Sequence, residues 1–301
     1  METMEKSAYG RMVEEILKER QKPLNRLLAG KGLNVEIRKV YKPGMGEKYG
    51  YEVHRTDGST MIAPIVYQRP EWVLMDDREL AGIILEAAKK SEEFLNSGIP
   101  EFTKSEILKN VLPRVLNEDN TYDLLREGIP FQRIGNLDLL TMYYVPYGDN
   151  GMVSINSRIL DGAGIHQAEL HEAAVRNIRN QTVFRTLESA ICSLTGEEEE
   201  PAESAMGLWV ATTRNGRYGA GVFAAGMDLF REFGKKLRAQ KLIILPSSVH
   251  EVLVMEDIGM DVRDMGRMVR EINISVVQEG DVLSDSVYTV DLEQGTIVCH
   301  K

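Results

Sequence analysis

The sequence predicts an α+β fold in which mainly antiparallel sheets pack against helices. Strand-like and helix-like segments mingle without the regular β-α-β alternation of a doubly wound fold. Two pairs, Asp57-Gly58 and Asn215-Gly216, are typical of tight hairpin turns. The chain also ends in a hairpin pattern, with strands predicted at 287–292 and 296–299 around a turn at 293–295.

The first hundred residues predict a layer made of a helix, a three-stranded meander and a second helix. The first helix is predicted over 9–28, where apolar residues recur at helical spacing and Pro23 is a potential break. The strands are predicted at 34–41, 49–55 and 60–67, with turns at 42–46 and 57–58. A helix over 77–95 follows, since its apolar residues form a single stripe.

Residues 96–100 form the predicted boundary, because Asn96-Ser97-Gly98 is a typical helix stop. We therefore predict an N-terminal α+β layer at 1–98 and a larger α+β domain at 99–301. One continuous domain is the alternative, since length does not choose between the two.

The larger part again mixes helices and strands. Thr103-Lys-Ser-Glu106 matches a capping box at the start of a helix. Further helices are predicted at 119–128, 167–180, 182–194, 225–240 and 261–272, and further strands at 137–145, 152–155, 208–213, 218–223 and 242–245. The run Glu-Glu-Glu-Glu-Pro at 197–201 predicts a solvated loop, because adjacent like charges repel each other.

Composition is that of an ordinary soluble globular protein of 301 residues, 43% hydrophobic and 27% charged. Lys plus Arg is 36 and Asp plus Glu is 46, giving a net charge of −10. We therefore expect no extended nucleic-acid surface and no attraction to anionic membranes. The sequence contains neither an apolar signal core nor a run of ~20 apolar residues. Cys192 and Cys299 are far apart, so we predict reduced thiols and a cytoplasmic location, with one disulfide as the alternative.

Motifs that mark common cofactors are missing from the sequence, which has no Gly-x-Ser-x-Gly elbow, no complete phosphate loop and no His-Glu-x-x-His helix. Gly30-Lys31-Gly32 lacks the upstream glycine of a phosphate loop. Gly219-Ala220-Gly221 lacks the third glycine of a dinucleotide fingerprint. Turn geometry explains both pairs, and we predict no cofactor.

His166 and Glu169 are the candidate metal ligands. His166 and His171 would lie roughly 140° apart on a helix, so the two imidazoles cannot share an ion. His166 and Glu169 could chelate one, but nothing marks the third protein ligand that a catalytic zinc needs. The competing interpretation is a helix N-terminus, where acidic side chains face the positive end of the dipole. We predict no metal.

The segment Ile-Leu-Pro-Ser-Ser-Val-His-Glu-Val-Leu at 244–253 holds the main candidate site. Ser247, Ser248, His250 and Glu251 could supply a nucleophile, a base and an orienting carboxylate. Neighbouring residues point apart, however, so Glu251 is poorly placed to orient the His250 ring. Two structural interpretations compete with catalysis: a Ser248–Glu251 capping box of a helix, or a serine-held turn before a strand at 249–255. Binding of a partner or ligand through this segment is the fourth interpretation, with Pro246, Ser248, His250 and Glu251 in contact.

Several segments together resemble a known bacterial family. The first is Val-Leu-Pro-Arg-Val-Leu-Asn at 111–117, which continues to Asn120 and Leu124. The second is Leu137-Asp138-Leu139 together with Tyr143. The others lie at 170–177, 244–251, 269–273, 282–285 and 287–288. The family is the domain-of-unknown-function family numbered 5688, frequent in gut Firmicutes genomes. The resemblance covers about residue 34 to the C-terminus and departs at Ile178, where threonine is common. It implies a soluble bacterial protein and carries over no activity, substrate or catalytic residue. Asn177, in the segment 170–177, joins the candidate binding residues.

We therefore predict a cytosolic, non-catalytic binding or regulatory protein, for example one accessory to a mobile element or a stress response. The motivation is that cofactor loops, metal constellations and separated catalytic trios are missing from the sequence. The alternative is a hydrolase or transferase in which His250 activates Ser247 or Ser248, assisted by Glu251 or a distant acid. The partner, a protein or a small molecule, and the oligomeric state stay open.

Overall fold

The computed structural model describes residues 2–42, 46–58, 64–96, 103–147, 151–195 and 204–301. It confirms the predicted α+β class, since helices accompany three mainly antiparallel sheets. The chain divides into two compact units, Met1–Pro100 and Glu101–Lys301. Whether the two units are independent domains stays a prediction, because compactness does not show that either one folds alone.

The described residues of the N-terminal unit form two α-helices and one three-stranded antiparallel sheet. The helices are α1 (Glu2–Ala29) and α2 (Asp77–Asn96), and the strands are β1 (Leu33–Lys42), β2 (Gly46–Arg55) and β3 (Ile65–Tyr67), in the order β1-β2-β3. The predicted helix, meander and helix are thus present, and α1 continues through Pro23 without ending. The predicted turn at 42–46 and the first half of the third predicted strand fall largely outside the described residues.

Leu24 of α1, Tyr51 and Val53 of β2, and Ile84 of α2 are completely buried in the core of this unit. Burying each such apolar side chain contributes roughly 1.5–3 kcal/mol relative to leaving it in water. The opposite face of the sheet carries the polar residues of the alternating pattern, as expected for an antiparallel sheet covered on one side.

The larger unit contains a four-stranded and a six-stranded sheet. Its helices are α3 (Lys104–Asn110), α4 (Thr121–Arg126), α5 (Ser157–Ala163), α6 (Gln167–Gln181), α7 (Leu187–Thr195), α8 (Val222–Ala225), α9 (Met227–Leu237) and α10 (Val262–Ser275). Its strands are β4 (Leu112–Asn117), β5 (Phe131–Arg133), β6 (Leu139–Tyr147), β7 (Gly151–Ser154), β8 (Thr182–Thr186), β9 (Leu208–Thr213), β10 (Lys241–Pro246), β11 (Val252–Glu256), β12 (Val287–Asp291) and β13 (Thr296–His300).

The strand order is β4-β6-β5, with β7 also paired to β6, in one sheet and β13-β12-β10-β11-β9-β8 in the other. One apolar core joins the two sheets, with Met142 of β6, Ile244 of β10, Val254 of β11 and Phe230 of α9 almost fully buried. The candidate segment 244–253 therefore begins inside this core and remains anchored in it through the buried side chains of Val249 and Val252.

Several local predictions are confirmed. The Thr103 hydroxyl caps α3 by accepting a hydrogen bond from the Glu106 amide at 3.3 Å. The C-terminal hairpin forms as β12 and β13, and α10 begins at the predicted position with Asp261 as its cap. The acidic loop predicted at 197–201 lies outside the described residues.

The predicted helix over 182–194 is wrong in its first half. Residues 182–186 form β8, which pairs with β9, and only then does α7 begin. Thr182, Val183 and Phe184 are β-branched or aromatic, and such side chains favour a pleated, half-buried surface.

The predicted strand at 218–223 is also wrong. Gly216 does adopt the positive φ of a turn, but Gly219–Gly221 forms a 3-10 turn and α8 follows. The physical reason is that β8 and β11 already occupy both edges of β9, so no returning strand can pair there. A Cβ on Gly219 would lie 2.4 Å from the Thr212 Cα, which shows how closely this segment crosses β9.

Besides β8 and α8, three described elements were not predicted from the sequence: α5, β4 and β5. β4 contains Pro113 and Arg114, which break its strand-like pattern. It lies at the edge of its sheet, where a proline is tolerated because one side of the strand needs no hydrogen bonds.

Candidate functional site

The segment 246–251 is a tight turn between β10 and β11. The Ser248 hydroxyl accepts a hydrogen bond from the His250 amide at 3.0 Å, and the Ser248 amide donates to the Glu251 carbonyl at 3.0 Å. Val252 then begins β11, which pairs with both β10 and β9. A strand rather than a helix follows the turn, so the helix-capping interpretation is wrong. Ser248 holds the turn through the backbone, whereas Ser247 contacts the Glu251 side chain, and β11 begins at Val252 rather than at 249. Whether the turn also has a function stays a prediction.

His250 connects this turn to two other segments. Its Nδ1 accepts a hydrogen bond from the Tyr218 amide at 3.2 Å, and its Nε2 lies 3.3 Å from Asp281 Oδ1. An Nδ1 that accepts leaves the proton of a neutral ring on Nε2, where it points to Asp281. The His250 carbonyl also accepts from the Gly219 amide at 2.8 Å. His250 thus fastens residues 218–219 to the 3-10 turn at Glu279–Asp281.

The two serines have other partners than the imidazole. The Ser247 hydroxyl lies 3.5 Å from a Glu251 carboxylate oxygen, at the limit of a hydrogen bond, and the Ser248 hydroxyl holds the turn. Within the part of the chain that the structure describes, neither hydroxyl bonds to the His250 ring. The catalytic role suggested for these residues and Glu251 stays a prediction.

Arg114, in the middle of β4, lies in the same neighbourhood, and its guanidinium forms no ion pair with the residues that the structure describes. Its exposed fraction is 7%, and its Nε is enclosed without a hydrogen-bond partner among the described residues. The guanidinium Cζ lies 5.0 Å from the centre of the Tyr218 ring. Burial lowers the pKa of the Arg114 guanidinium, while Tyr218, Asp281 and Tyr144 act in the opposite direction.

Tyr218 contacts several residues of this neighbourhood, and its backbone is strained. Its φ of 54° lies in the left-handed region, which costs a non-glycine residue roughly 1–2 kcal/mol. Its ring packs at 5.0 Å against both the Tyr144 ring and the His250 ring. Strained residues of this kind concentrate at functional sites. We refer to Arg114, Tyr144, Tyr218, His250 and Asp281 as the Arg114 cluster.

The other predicted binding residues have identifiable local roles. Pro246 is buried at the end of β10, and Glu251 is half-buried in the turn. Asn177 of α6 donates hydrogen bonds from Nδ2 to the carbonyls of Leu108 and Val111, at 3.1 and 2.9 Å. These carbonyls belong to the end of α3, so Asn177 ties α6 to that helix terminus.

The candidate metal ligands are placed at the start of α6. His166 is the cap residue of that helix, and the Glu169 carboxylate pairs with Lys104 at 2.7 Å. Among the described residues, a three-ligand grouping occurs elsewhere, at Glu36, Glu52 and His54 on the outer face of the N-terminal sheet. Glu52 there already pairs with Arg38, and its contact with His54 Nε2 is a proximity of charges at 3.2 Å rather than a hydrogen bond.

A buried polar network, which was not predicted from the sequence, surrounds Asp138 immediately before β6. The carboxylate accepts hydrogen bonds from Ser284 and Ser286 at 2.8 Å and from Tyr288 at 2.7 Å, with Cys299 Sγ at 3.4 Å. Burial alone would raise the pKa of the Asp138 carboxyl, but these donors outweigh it and lower the pKa. The period-two spacing of the three hydroxyls, which places them on one face, is the signal that could have revealed the network.

The fold is that of an α+β protein. Buried hydrogen bonds to Asp138 connect its C-terminal segments to the residues just before β6. Residues 9–291 match the family of unknown function DUF5688, so the chain belongs to that family. The matched span begins earlier than the resemblance at about residue 34. Comparisons with curated proteins and with solved structures find no match. None of the described helices is long and apolar enough to cross a membrane.

Proposed function

We propose that this chain is a cytoplasmic bacterial protein that binds or regulates a partner and does not catalyse a reaction. The observation that carries the proposal is the environment of the His250 ring: Nδ1 accepts a hydrogen bond from the Tyr218 amide, and the Asp281 carboxylate lies 3.3 Å from Nε2. The turn at 246–251 then presents the partly exposed Ser248, His250 and Glu251 at the surface, next to the buried Pro246, for recognition of a protein or a small molecule.

The geometry of His250 favours binding over nucleophilic catalysis. A general base must offer a lone pair to the hydroxyl it activates. Here the lone pair on Nδ1 accepts from a backbone amide, and the proton on Nε2 faces a carboxylate. A hydrolase or transferase using Ser247 or Ser248 would require His250 to break both contacts and turn towards a serine. That alternative remains the second candidate.

The net charge of −10 favours some classes of partner over others. With 46 acidic and 36 basic residues, the chain would be repelled by nucleic-acid phosphates and anionic lipid surfaces. We therefore place the partner among proteins and small molecules. The bacterial origin follows from the family resemblance.

Labelling with a fluorophosphonate tests the absence of a serine nucleophile. We expect no labelling of the wild-type protein, because no hydroxyl among the described contacts is activated by His250. A known serine hydrolase labelled in parallel confirms that the probe is active. Labelling that disappears in Ser247→Ala or Ser248→Ala would overturn the proposal and favour the enzyme.

A pull-down with the tagged full-length chain tests the binding role. We expect a partner that the wild type and Ser247→Ala retain and that His250→Ala loses, with circular dichroism showing that the fold is intact. Retention of the same partner by His250→Ala would argue against the turn as the binding feature.

A further inference from the structure

Arg114 carries a buried charge for which the described residues offer no ion-pair partner. Taking a cation out of water costs several kcal/mol unless hydrogen bonds and an opposite charge replace the water. The guanidinium makes no hydrogen bond with any described residue, and no described carboxylate pairs with it. The Tyr218 ring at 5.0 Å offers a cation-π contact, which does not supply the hydrogen bonds that the guanidinium donors lose on leaving water. The arrangement is therefore incomplete as it stands.

We propose that Arg114 binds the carboxylate of a ligand, and that the Arg114 cluster is the ligand-binding site of the protein. The proposal deepens the proposed function, on which it rests, by naming the chemistry of the ligand. A carboxylate matches the planar fork of a guanidinium and forms two parallel charge-assisted hydrogen bonds with it. Nε is enclosed in the protein, so a ligand would have to meet the fork at its Nη atoms.

The charges around Arg114 select a monoanion. Asp281 acts on the guanidinium electrostatically, and the whole chain carries a net charge of −10. Asp281 would repel both negative charges of a dianionic phosphate, but only the single negative charge of a carboxylate. The carboxylate therefore fits this site better than a phosphate does.

The rest of the cluster orients the guanidinium. Tyr218 lies against it, Tyr144 packs on Tyr218 at 5.0 Å, and His250 holds the Tyr218 amide while contacting Asp281. The left-handed backbone of Tyr218 is maintained by these contacts. The turn at 246–251 thus affects ligand binding indirectly, because His250 positions Tyr218 and Tyr218 lies against Arg114. Tyr218 therefore connects the segment 244–253 to Arg114.

Titration of the full-length protein with sodium acetate and sodium benzoate tests the proposal. Inorganic phosphate is the comparison, and sodium chloride keeps the ionic strength constant. We expect the carboxylates to raise the melting temperature by about 3 °C at ten times their Kd. We also expect them to shift the Nε–Hε cross-peak of Arg114 in a ¹⁵N-arginine NMR spectrum, since that proton is shielded from exchange. Phosphate at equal ionic strength should do neither.

The variant Arg114→Met distinguishes a ligand-binding role of Arg114 from a purely structural role. We expect the variant to melt no lower than the wild type without added anion, because it removes an unpaired buried charge, and to lose the response to acetate and benzoate. Arg114→Lys, which keeps the charge without the fork, should bind about tenfold more weakly, the equivalent of one charge-assisted hydrogen bond. Arg133→Met, at an exposed arginine that pairs with Glu118, is the control and should respond like the wild type.

The proposal is overturned if neither carboxylate moves the cross-peak or the melting temperature of the wild type. A response that survives in Arg114→Met, or a response to phosphate alone, overturns it as well. The wild-type NMR titration decides the matter even if a variant fails to fold. The two proposals can fail separately. If His250→Ala loses a partner in the pull-down while neither carboxylate has an effect on the wild type, the proposed binding role is retained and only the carboxylate site is rejected.

Discussion

Asp138 and Arg114 are both buried in the larger unit, at 7% exposure each, yet their surroundings are opposite. Asp138 receives hydrogen bonds from three hydroxyls and a contact from a thiol, whereas Arg114 receives none from the described residues. A buried charge with all its partners present belongs to the structure. A buried charge without partners is where a ligand would improve the electrostatics.

Replacing Asp138 by Asn tests the structural role. The amide would turn a donor towards the hydroxyls, so we expect a loss of roughly 2–4 kcal/mol of unfolding free energy at pH 7. The pKa of Asp138 is lowered in the folded protein. Its contribution is therefore fully present above the unfolded pKa of about 3.9 and is lost as the pH falls through the lower, folded value.

Urea denaturation of Asp138→Asn and wild type between pH 7 and pH 3 measures this difference. The gap between the two proteins should narrow below about pH 4, where the wild type loses the contribution of the carboxylate. Asp119→Asn, at an exposed residue, is the control and should stay within about 0.5 kcal/mol of the wild type. A gap that is unchanged from pH 7 to pH 3 would contradict the role assigned to the ionised Asp138.

At the scale of elements, the turn between β10 and β11 depends on one of its two serines. Ser248 accepts from the His250 amide at 3.0 Å, while the bond from Ser247 to Glu251 is at its distance limit of 3.5 Å. The polar residues that resembled a catalytic group in the sequence therefore divide into a turn-forming serine, a connecting histidine and a marginal serine–glutamate pair.

Ser248→Ala should lower the unfolding free energy by about 1 kcal/mol, because the His250 amide loses its acceptor. Ser247→Ala should be close to neutral. Denaturant unfolding of the two matched variants against the wild type measures both values. Equal destabilisation by the two substitutions would show that the turn does not distinguish the serines in this way.

Elements were predictable where the signal lies within a few neighbouring residues. The helix cap at Thr103, the apolar stripe of α2 and the C-terminal hairpin are such signals, and all three are present in the structure. Of the predicted capping box, the Thr103 hydroxyl forms its half, whereas the Glu106 carboxylate accepts from Asn110. The strand predicted after Asn215-Gly216 failed because pairing depends on which edges of β9 are free. β8 and β11, distant in sequence from that turn, occupy them.

At the scale of the whole molecule, the chain divides into the units Met1–Pro100 and Glu101–Lys301, and each has its own apolar core. We propose that each unit is a domain that folds alone. The predicted boundary at residue 98 lies close to the division in the structure, but the independence of the two parts is a thermodynamic property that needs its own measurement.

Expression of 1–100 and 101–301 as separate chains tests this proposal. We expect each to unfold cooperatively in urea and to give dispersed NMR spectra, since each buries a complete core. The spectrum of the intact chain should contain the peaks of both pieces. A piece that is unfolded in isolation would favour one continuous domain.

The candidate site was predictable only in part. The segment 244–253 was recognised as important from its residues, and the structure brings its His250 into the Arg114 cluster. Arg114 was present in a family-like segment but carried no signal, because an arginine in a strand is usually exposed. Its burial follows from the packing of Tyr218 and Tyr144, which lie 104 and 30 residues further along the chain.

The amino-acid sequence by itself determined the α+β class, the family resemblance and most local elements, because periodicity, caps and turn residues act over short distances. The tertiary structure alone decided the pairing of β8 with β9, the network around Asp138 and the unpaired charge of Arg114. Each of these depends on residues far apart in the chain. Whether a side chain is buried or hydrogen-bonded depends on which residues surround it after folding. The sequence alone does not show which residues those are.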